Sequence, residues 1–288
     1  MTKPNIKAFF DQTTNTISYV VFDPATREAV IIDSVLNFDV KSARTQSESA
    51  DEMIAYTQEN HLSVYWILET HAHADHITAA NYLKDQLGAH TGIGAGIIKV
   101  QETFAGVFNL GSEFTANGEQ FDRLFDDNDS FQLGELEIKV LHTPGHTPAC
   151  VAYLIGDACF VGDTLFMPDF GTARTDFPQG NAGTLYQSIQ KILALPPTTR
   201  VFVGHDYKAP DRDEYAWETT VADELAKNIH VGNGTTEKEF IELRTERDAT
   251  LGVPALLLPA IQINIRAGEF PPTEKNGTCF LKIPLNIL

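Results

Sequence analysis

A short segment rich in histidine is the part of this sequence best suited to chemistry. Residues 70–76 read Thr-His-Ala-His-Ala-Asp-His, so three imidazoles and one carboxylate fall within six consecutive positions. Imidazole and carboxylate groups are preferred ligands of borderline divalent metal ions, and an ordinary apolar core does not need them at this density. The segment therefore predicts a metal site.

The sequence on either side of this segment predicts how its side chains are positioned. Residues 64–68 form an apolar run with β-branched and aromatic members, which is typical of a buried strand. If the chain continues in extended form, His71 and His73 point to one side and the intervening alanines to the other. Residues 77–83 have helical composition and end near Gly88, so the Asp-His pair lies at a strand-to-helix turn.

Three later strands are also followed by a residue type that binds metals. Residues 131–141 alternate as one strand, and the Pro-Gly turn that comes next presents His146. A hairpin over residues 151–161 ends at Asp163, and a later apolar strand ends at His205. Functional groups collect in the loops at one edge of a scaffold. We therefore expect these strand ends to converge on one site.

Composition and charge exclude some classes of function. The chain has 288 residues with 43% hydrophobic content, enough for one large domain or for one domain with an appended segment. Its 21 basic and 39 acidic residues give a net charge of -18. So acidic a surface repels phosphate backbones and anionic lipids, which argues against nucleic acid and membrane partners. An anionic substrate would need a local basic pocket.

The cysteines and the N-terminal residues indicate a cytoplasmic protein. Cys150, Cys159 and Cys279 are odd in number and lie in apolar surroundings, which favours reduced core thiols over a disulfide framework. Residues 1–5 show neither a secretory nor a mitochondrial targeting pattern, and no apolar run approaches the length of a membrane span.

Three other segments carry predictions about local structure. The spacing of Ser49 and Glu52 is that of a capping box, which predicts a helix from there to about Asn60. Residues 214–227 predict a helix, and residues 261–265 have a strand-like alternation. With the strands above, these elements indicate an α/β protein.

The histidine and aspartate motifs together resemble the metallo-β-lactamase superfamily. This resemblance implies a four-layer αββα sandwich of the α/β class, with the metal at the shared edge of two sheets. We predict a core at residues 1–210 and a segment at 211–288 that completes the sandwich and caps the site within one continuous domain. The apolar stretches of this segment predict a homodimer contact. Shorter motifs resemble the persulfide dioxygenases, also called sulfur dioxygenases, at residues 171–177, 204–207, 247–250 and 264–268.

The resemblance implies a particular division of the ligands. One ferrous ion per chain would be held by His71, His146 and Asp163, with zinc as an alternative metal. The other four candidates would orient ligands and waters, or would bind a second metal as they do in the binuclear hydrolases of the superfamily. These four residues are His73, Asp75, His76 and His205. The sequence leaves both arrangements open.

The reaction implied by the resemblance is oxidation of glutathione persulfide by O₂ and water to glutathione and sulfite. Glutathione carries two carboxylates, so the pocket should offer cationic groups. The candidates are Arg174, Lys208, Arg247 and Arg266, with the Tyr207 hydroxyl near the substrate sulfur. Arg174 could instead form a structural ion pair with Asp176, and Arg247 could be a charge on a helix face. Thr172 and Ala173 stand where some of these dioxygenases have a Cys-Gly pair.

Two other functions remain open from the sequence. The first is a glutathione thiolester hydrolase resembling glyoxalase II, which would use a binuclear metal site and a similar thiol pocket. The second is a non-catalytic protein that binds a metal and a thiol. Iron content and O₂ uptake on glutathione persulfide would distinguish the dioxygenase from both.

Overall fold

Two six-stranded sheets packed face to face lie at the centre of the computed structural model, which describes residues 3–287. In chain order, the strands are β1 (Asn5–Asp11), β2 (Thr16–Phe22), β3 (Glu28–Ile32), β4 (Val35–Asp39), β5 (Arg44–Gln46), β6 (Ser63–Leu68), β7 (Ile77–Thr78), β8 (His90–Gly94), β9 (Arg123–Phe125), β10 (Ser130–Leu133), β11 (Leu136–His142), β12 (Val151–Ile155), β13 (Ala158–Phe160), β14 (Arg200–Phe202) and β15 (Glu218–Thr220). The helices are α1 (Glu48–Glu59), α2 (Ala80–Leu87), α3 (Ile97–Val107), α4 (Ala182–Leu193), α5 (Val221–Lys227), α6 (Glu237–Asp248) and α7 (Leu257–Asn264).

The alternation of side chains along β2 shows how the sheets are covered. Ile17, Tyr19 and Val21 pack in the apolar cluster shared with the second sheet, whereas Val20 and Phe22 face the helices. The strand is therefore buried along its full length. The first sheet has the order β1-β2-β3-β6-β8-β9, the second has the order β10-β11-β12-β13-β14-β15, and a small third sheet has the order β5-β4-β7.

Helices cover the outer face of each sheet. Met53 of α1, Leu83 of α2 and Ile263 of α7 pack in one apolar cluster with the outer face of the first sheet. Leu185 and Ile189 of α4 pack in the cluster that contains the second sheet. These layers confirm the four-layer αββα sandwich of the α/β class predicted from the sequence.

One edge of the sandwich gathers the ends of several strands. Strands β3, β6, β8 and β9 are parallel, and so are β13 and β14. The carboxyl ends of parallel strands meet at one edge, so the segments after β3, β6, β13 and β14 lie together. The backbone N–H of Ile17 donates to the carbonyl of Gly204 at 2.8 Å and joins the two sheets there.

Two local predictions from the sequence are wrong. Residues 131–141 are not one strand but the hairpin β10 and β11, in which Leu133 pairs with Leu136 across a two-residue turn. Gly134 has a φ of +60°, which such a tight turn requires. Helix α1 has no capping box, because it begins at Glu48 with Ser47 as its N-cap residue, so Ser49 lies inside the first turn. The structure does place a capping box on α6, formed by Thr236 and Glu239.

The segment after residue 210 also differs from its prediction. Residues 214–227 contain strand β15 and the short helix α5 instead of one helix, because Thr220 pairs with Arg200 and then caps α5 with its side chain. Residues 261–265 belong to helix α7 and the residue after it instead of a strand. Strand β15 lies after residue 210 and is the last strand of the second sheet. The division of the chain at residue 210 stays a prediction.

Two of the three cysteines are buried, and apolar residues near the C-terminus are exposed. Cys150 and Cys159 are buried, and burial raises the pKa of each to about 12, whereas Cys279 is only partly buried and is therefore not a core thiol. Ile283 and Leu285 are exposed. The homodimer contact predicted for this apolar tail stays a prediction. Within residues 3–287, no helix combines the length and the apolar character that a membrane crossing needs.

Candidate metal centre

The segment after β6 directs its histidines to one side, as the sequence predicts. Ala72 and Ala74 pack in an apolar cluster with residues of α3 and α7. His71 and His73 point away from this cluster, and their rings lie 4.1 Å apart between centroids. Both are 1% exposed. Because the alanines are small, the loop can lie close to the helices and hold both imidazoles in the interior.

Three of the predicted ligands form one compact group. The Nε2 atoms of His71 and His146 lie 3.9 Å and 3.7 Å from Oδ2 of Asp163. One donor atom of each residue lies within 4.8 Å of the others. His71 Nε2 and Asp163 Oδ1 are buried and have no hydrogen-bond partner within the described residues. This arrangement leaves the donor atoms facing a common point.

The loop after β11 fixes His146 in place. Gly145 has a φ of +137°, and a Cβ atom there would lie 2.3 Å from the backbone nitrogen of Leu185, so only glycine fits against α4. His146 Nδ1 lies 2.7 Å from the carbonyl oxygen of Arg174, to which it can only donate. The ring therefore carries its proton on Nδ1 and leaves Nε2 free to bind a metal.

A second group of ligands adjoins the first. His205 Nε2 lies 3.1 Å from Asp75 Oδ2 and 3.4 Å from Asp163 Oδ1, and His76 Nδ1 lies 3.4 Å from Asp75 Oδ2. His73 belongs to the same group. Asp163 thus lies between both groups and presents one carboxylate oxygen to each. The structure brings all seven predicted metal-site residues together.

Two buried carboxylates behind His73 were not predicted as site residues. Its Nε2 lies 3.1 Å from Asp33 Oδ1 and 3.2 Å from Glu69 Oε2. Asp33 also accepts from the backbone N–H of Thr70 at 2.7 Å and from its hydroxyl at 2.8 Å. Burial opposes the charged imidazole, but Asp33 and Glu69 outweigh it and raise the pKa of His73. In the sequence, Asp33 is a lone aspartate at the end of an apolar run, and the side to which its carboxylate points could not be predicted.

Asn264 is a further residue that sequence reasoning did not place at the site. Its Nδ2 donates to the carbonyls of His73 and His76, both at 2.8 Å, and its Oδ1 accepts from the N–H of Thr78 at 2.9 Å. All of these groups are buried. Asn264 therefore holds the backbone of the histidine loop from the end of α7.

The chemistry of these groups fits a divalent metal. Buried nitrogen and oxygen atoms normally have partners. Five donor atoms of the candidate ligands have none within the described residues. They are His71 Nε2, His73 Nδ1, His76 Nε2, Asp163 Oδ1 and His205 Nε2. Burial, together with nearby imidazoles, lowers the pKa of His71 and of His76, so both rings are neutral at pH 7 and offer a lone pair to a cation.

A cleft of about 270 Å³ leads to the metal centre. Phe166, Phe170 and Tyr207 form one apolar side of it. The Tyr207 ring stacks on His205 with an interplanar angle of 17° and a centroid distance of 5.8 Å. Leu251 lies on the α6 side. The cleft can therefore hold an organic molecule of moderate size next to the ligands.

Three arginines also line this cleft, and they differ in what they already bind. Arg174 donates two hydrogen bonds of 2.6 Å to Asp176, so the structural ion pair considered from the sequence is present. Arg244 was not predicted, and it is buried against Asp248. Arg247 is exposed on α6 and forms no ion pair within residues 3–287. Arg247 is therefore the cation most free to bind an anionic ligand.

Two predicted substrate residues lie away from the cleft. Lys208 places its Nζ 4.5 Å from the centre of the Tyr215 ring and does not line the cleft. Arg266 lines a separate cavity beside the C-terminal segment. The strand predicted at residues 261–265, just before Arg266, is absent, because these residues belong to helix α7 and the residue after it. The structure thus groups Tyr207, Arg174 and Arg247 with the metal centre but not these two.

The fold and the ligand set are those of a metal-binding superfamily. The family model of the metallo-beta-lactamase superfamily matches residues 13–205, and the chain belongs to this superfamily. Among its relatives, the chain is 50% identical to glyoxylase B2 of Dictyostelium discoideum over 99% of this chain and 98% of that protein. It is 29% identical to the mitochondrial persulfide dioxygenase ETHE1 of Homo sapiens over 93% of this chain and 90% of that protein.

A solved structure gives a further comparison. The crystal structure of ETHE1 from Myxococcus xanthus has a TM-score of 0.72 and 32% identity, and the match covers 92% of this chain and 100% of that one. These similarities confirm the resemblance to the metallo-β-lactamase superfamily and to the persulfide dioxygenase family. They support an enzyme that depends on a bound metal.

Proposed function

We propose that this protein is a persulfide dioxygenase that uses one non-haem ferrous ion. Glutathione persulfide, O₂ and water would give glutathione, sulfite and two protons. Both atoms of O₂ go to the terminal sulfur, water supplies the third oxygen of sulfite, and the sulfur–sulfur bond is cleaved. The terminal sulfur is oxidised and O₂ is reduced, so no other electron donor is required.

The observation that carries this proposal is the compact group of His71, His146 and Asp163 at the inner end of the cleft. Two histidines and one carboxylate are the ligand set of non-haem iron oxygenases, which leaves coordination positions for substrates. Bound iron would supply the redox chemistry that zinc, with its filled d shell, cannot. The similarity to the ETHE1 proteins supports the same assignment.

The residues of the cleft would bind and orient the persulfide. Its aromatic side, formed by Phe166, Phe170 and Tyr207, excludes water from the sulfur and favours a soft, weakly hydrated group. Arg247 would bind a carboxylate of glutathione, because its guanidinium can form a bidentate pair. Burial, together with Asp75 and Asp163, raises the pKa of Tyr207, so its phenol remains a hydrogen-bond donor at neutral pH.

The ordered backbone around the site supports this positioning. His230 Nδ1 accepts from the N–H of Thr172 at 3.0 Å, and the Arg244 guanidinium donates to the carbonyl of Thr172 at 3.0 Å. These hydrogen bonds fix the backbone at Thr172, although the Cys-Gly pair of some dioxygenases is absent. The carbonyl of Arg174, two residues further along, can then accept the hydrogen bond from His146.

A glutathione thiolester hydrolase with two metals is the second candidate. The observation that favours it is the second ligand group, Asp75, His76 and His205, which meets the first at Asp163. A carboxylate between two ligand groups could bridge two metal ions. The high identity to glyoxylase B2 also supports it. A non-catalytic binder has no specific observation in its favour.

Metal analysis with a paired activity assay separates the two candidates. Protein purified without oxygen should contain about one iron per chain and should consume O₂ when glutathione persulfide is added, with sulfite formed in equal amount. It should not cleave S-lactoylglutathione. Two metals per chain with rapid thiolester cleavage and no O₂ uptake would overturn the dioxygenase proposal and establish the hydrolase.

A further inference from the structure

A second cavity, of about 280 Å³, lies between α7 and the C-terminal segment. It shares no lining residue with the cleft at the metal centre. Gln262 of α7 holds one side of it in place, since its amide donates to the carbonyl of Lys282 at 2.9 Å and accepts from the N–H of Lys282 at 2.8 Å. The cavity is therefore formed by ordered parts of the chain.

Arg266 is the unusual residue of this cavity. It is only 7% exposed, and its Nε is buried with no hydrogen-bond partner within the described residues. Its guanidinium lies 4.6 Å from the centre of the Phe114 ring. Among residues 3–287 the Arg266 side chain takes part in no ion pair, although the chain contains 39 acidic residues. A largely buried cation with an aromatic ring but no anion beside it is unfavourable, so an anion that enters the cavity would be its natural partner.

The other polar residues of the cavity indicate what this anion is attached to. Lys282 adds a second positive charge, but its Nζ already donates to the carbonyl of Asn109 at 2.8 Å. Glu113 and Glu274 also line the cavity and are exposed. Two carboxylates at the exposed side disfavour a multiply charged anion such as phosphate and favour a positive group. The lining thus offers a cation inside and anions outside.

We propose that this cavity binds a small zwitterionic carboxylic acid of amino-acid size, with its carboxylate on Arg266 and its ammonium group toward Glu113 and Glu274. The planar guanidinium can form a bidentate pair with a carboxylate, which a point charge cannot. Burial lowers the pKa of Arg266 and the Glu113 charge opposes this effect, yet the guanidinium remains a cation at neutral pH. This inference does not depend on the reaction at the metal centre.

Titration of the metal-loaded, full-length protein with small probes tests the proposal. Glycine should bind more tightly than acetate, and inorganic phosphate and methylammonium should bind more weakly than either, as followed by NMR of the bound probe or by calorimetry. Arg266→Lys keeps the positive charge but removes the planar guanidinium that can form two parallel hydrogen bonds to a carboxylate. It should weaken glycine binding by about tenfold or more. Lys84→Met removes a cation that lines neither cavity and should leave glycine binding unchanged.

Two further variants keep the proposal falsifiable. Glu113→Gln, on the exposed side, should weaken glycine binding and narrow the difference between glycine and acetate, because Glu274 alone then faces the ammonium group. Arg266→Met without ligand should melt at the same temperature as the wild type or higher, because an unpaired buried charge is removed. The proposal would be overturned if the wild type did not bind glycine, if Arg266→Lys bound it equally well, or if phosphate bound more tightly than glycine. A clear fall in the melting temperature of Arg266→Met would overturn it too.

Discussion

Replacing Asn264 with alanine should weaken metal binding although Asn264 is not a metal ligand. Its side chain makes three buried hydrogen bonds, two to the carbonyls of His73 and His76 and one from the N–H of Thr78. Alanine leaves these three backbone groups in the interior without partners. The loop that carries the predicted ligands would lose its only side-chain hydrogen bonds from α7 within the described residues.

The expected magnitude follows from the number of unsatisfied groups. Each buried polar group left without a partner costs about 1–3 kcal/mol, so Asn264→Ala should lower the free energy of unfolding by roughly 3–6 kcal/mol after partial relaxation. Residues that hold metal ligands in place typically change metal affinity by about 10–100-fold when they are replaced. We expect a loss of that size for Fe²⁺.

Chelator competition and urea unfolding measure the two effects separately. Gln262→Ala is the matched control, because Gln262 lies on the same helix but its amide binds the carbonyls of Leu258 and Lys282 instead of the histidine loop. Asn264→Asp keeps the acceptor for Thr78 and removes both donors, so it should lose metal affinity as well. If Asn264→Ala lost stability but bound Fe²⁺ within about twofold of the wild type, the positioning role would be refuted.

Three other outcomes follow from the structure. His146→Ala should abolish metal loading. His142→Ala should retain it, because the His142 ring contacts the Phe125 carbonyl at 2.8 Å and lies outside the ligand groups. Equal metal content in the two variants would contradict the ligand assignment. Arg247→Met should raise KM for glutathione persulfide roughly tenfold or more with kcat nearly unchanged, since it removes a charge-assisted hydrogen bond that is the same in ground and transition states. Burial raises the pKa of Glu224 to about 8, so between about pH 4.5 and 8 the folded protein keeps a proton that the unfolded chain loses. The free energy of unfolding should therefore fall as the pH rises through this range. Urea unfolding should show a smaller fall in Glu224→Gln, and an unchanged fall would contradict the prediction.

The sequence predicted which residues the structure gathers at the candidate metal centre, because most of them adjoin strands. His71, His146, Asp163 and His205 each follow an apolar run or a glycine turn, and such local patterns survive folding. Parallel pairing of β3 with β6 and of β13 with β14 brings most of these strand ends to one edge, and the loop after the antiparallel strand β11 brings His146 there. The ligand set therefore depends on local sequence and on topology, both of which a single sequence reveals.

The residues that support the ligands could not be found in this way. Asp33 and His73 lie 40 positions apart, and Asn264 and His73 lie 191 positions apart. A lone aspartate or asparagine is most often a turn or surface residue, so its type carries no signal until its neighbours in space are known. The buried carboxylates and the amide behind the histidines became visible only when the sheets were assembled.

Residues 261–265 were predicted as a strand but belong to helix α7 and the residue after it. The helix also explains why Asn264 and Arg266 point to different sites. In a strand, residues two apart point to the same side, and both side chains would then face the metal edge. In a helix, two residues are about 200° apart, so they point to nearly opposite sides. Helix α7 ends at Asn264, and the N–H of Arg266 still donates to the carbonyl of Ile263 at 2.9 Å, so the turn continues. Asn264 consequently reaches the histidine loop while Arg266 reaches the second cavity, and one short segment supports two separate sites.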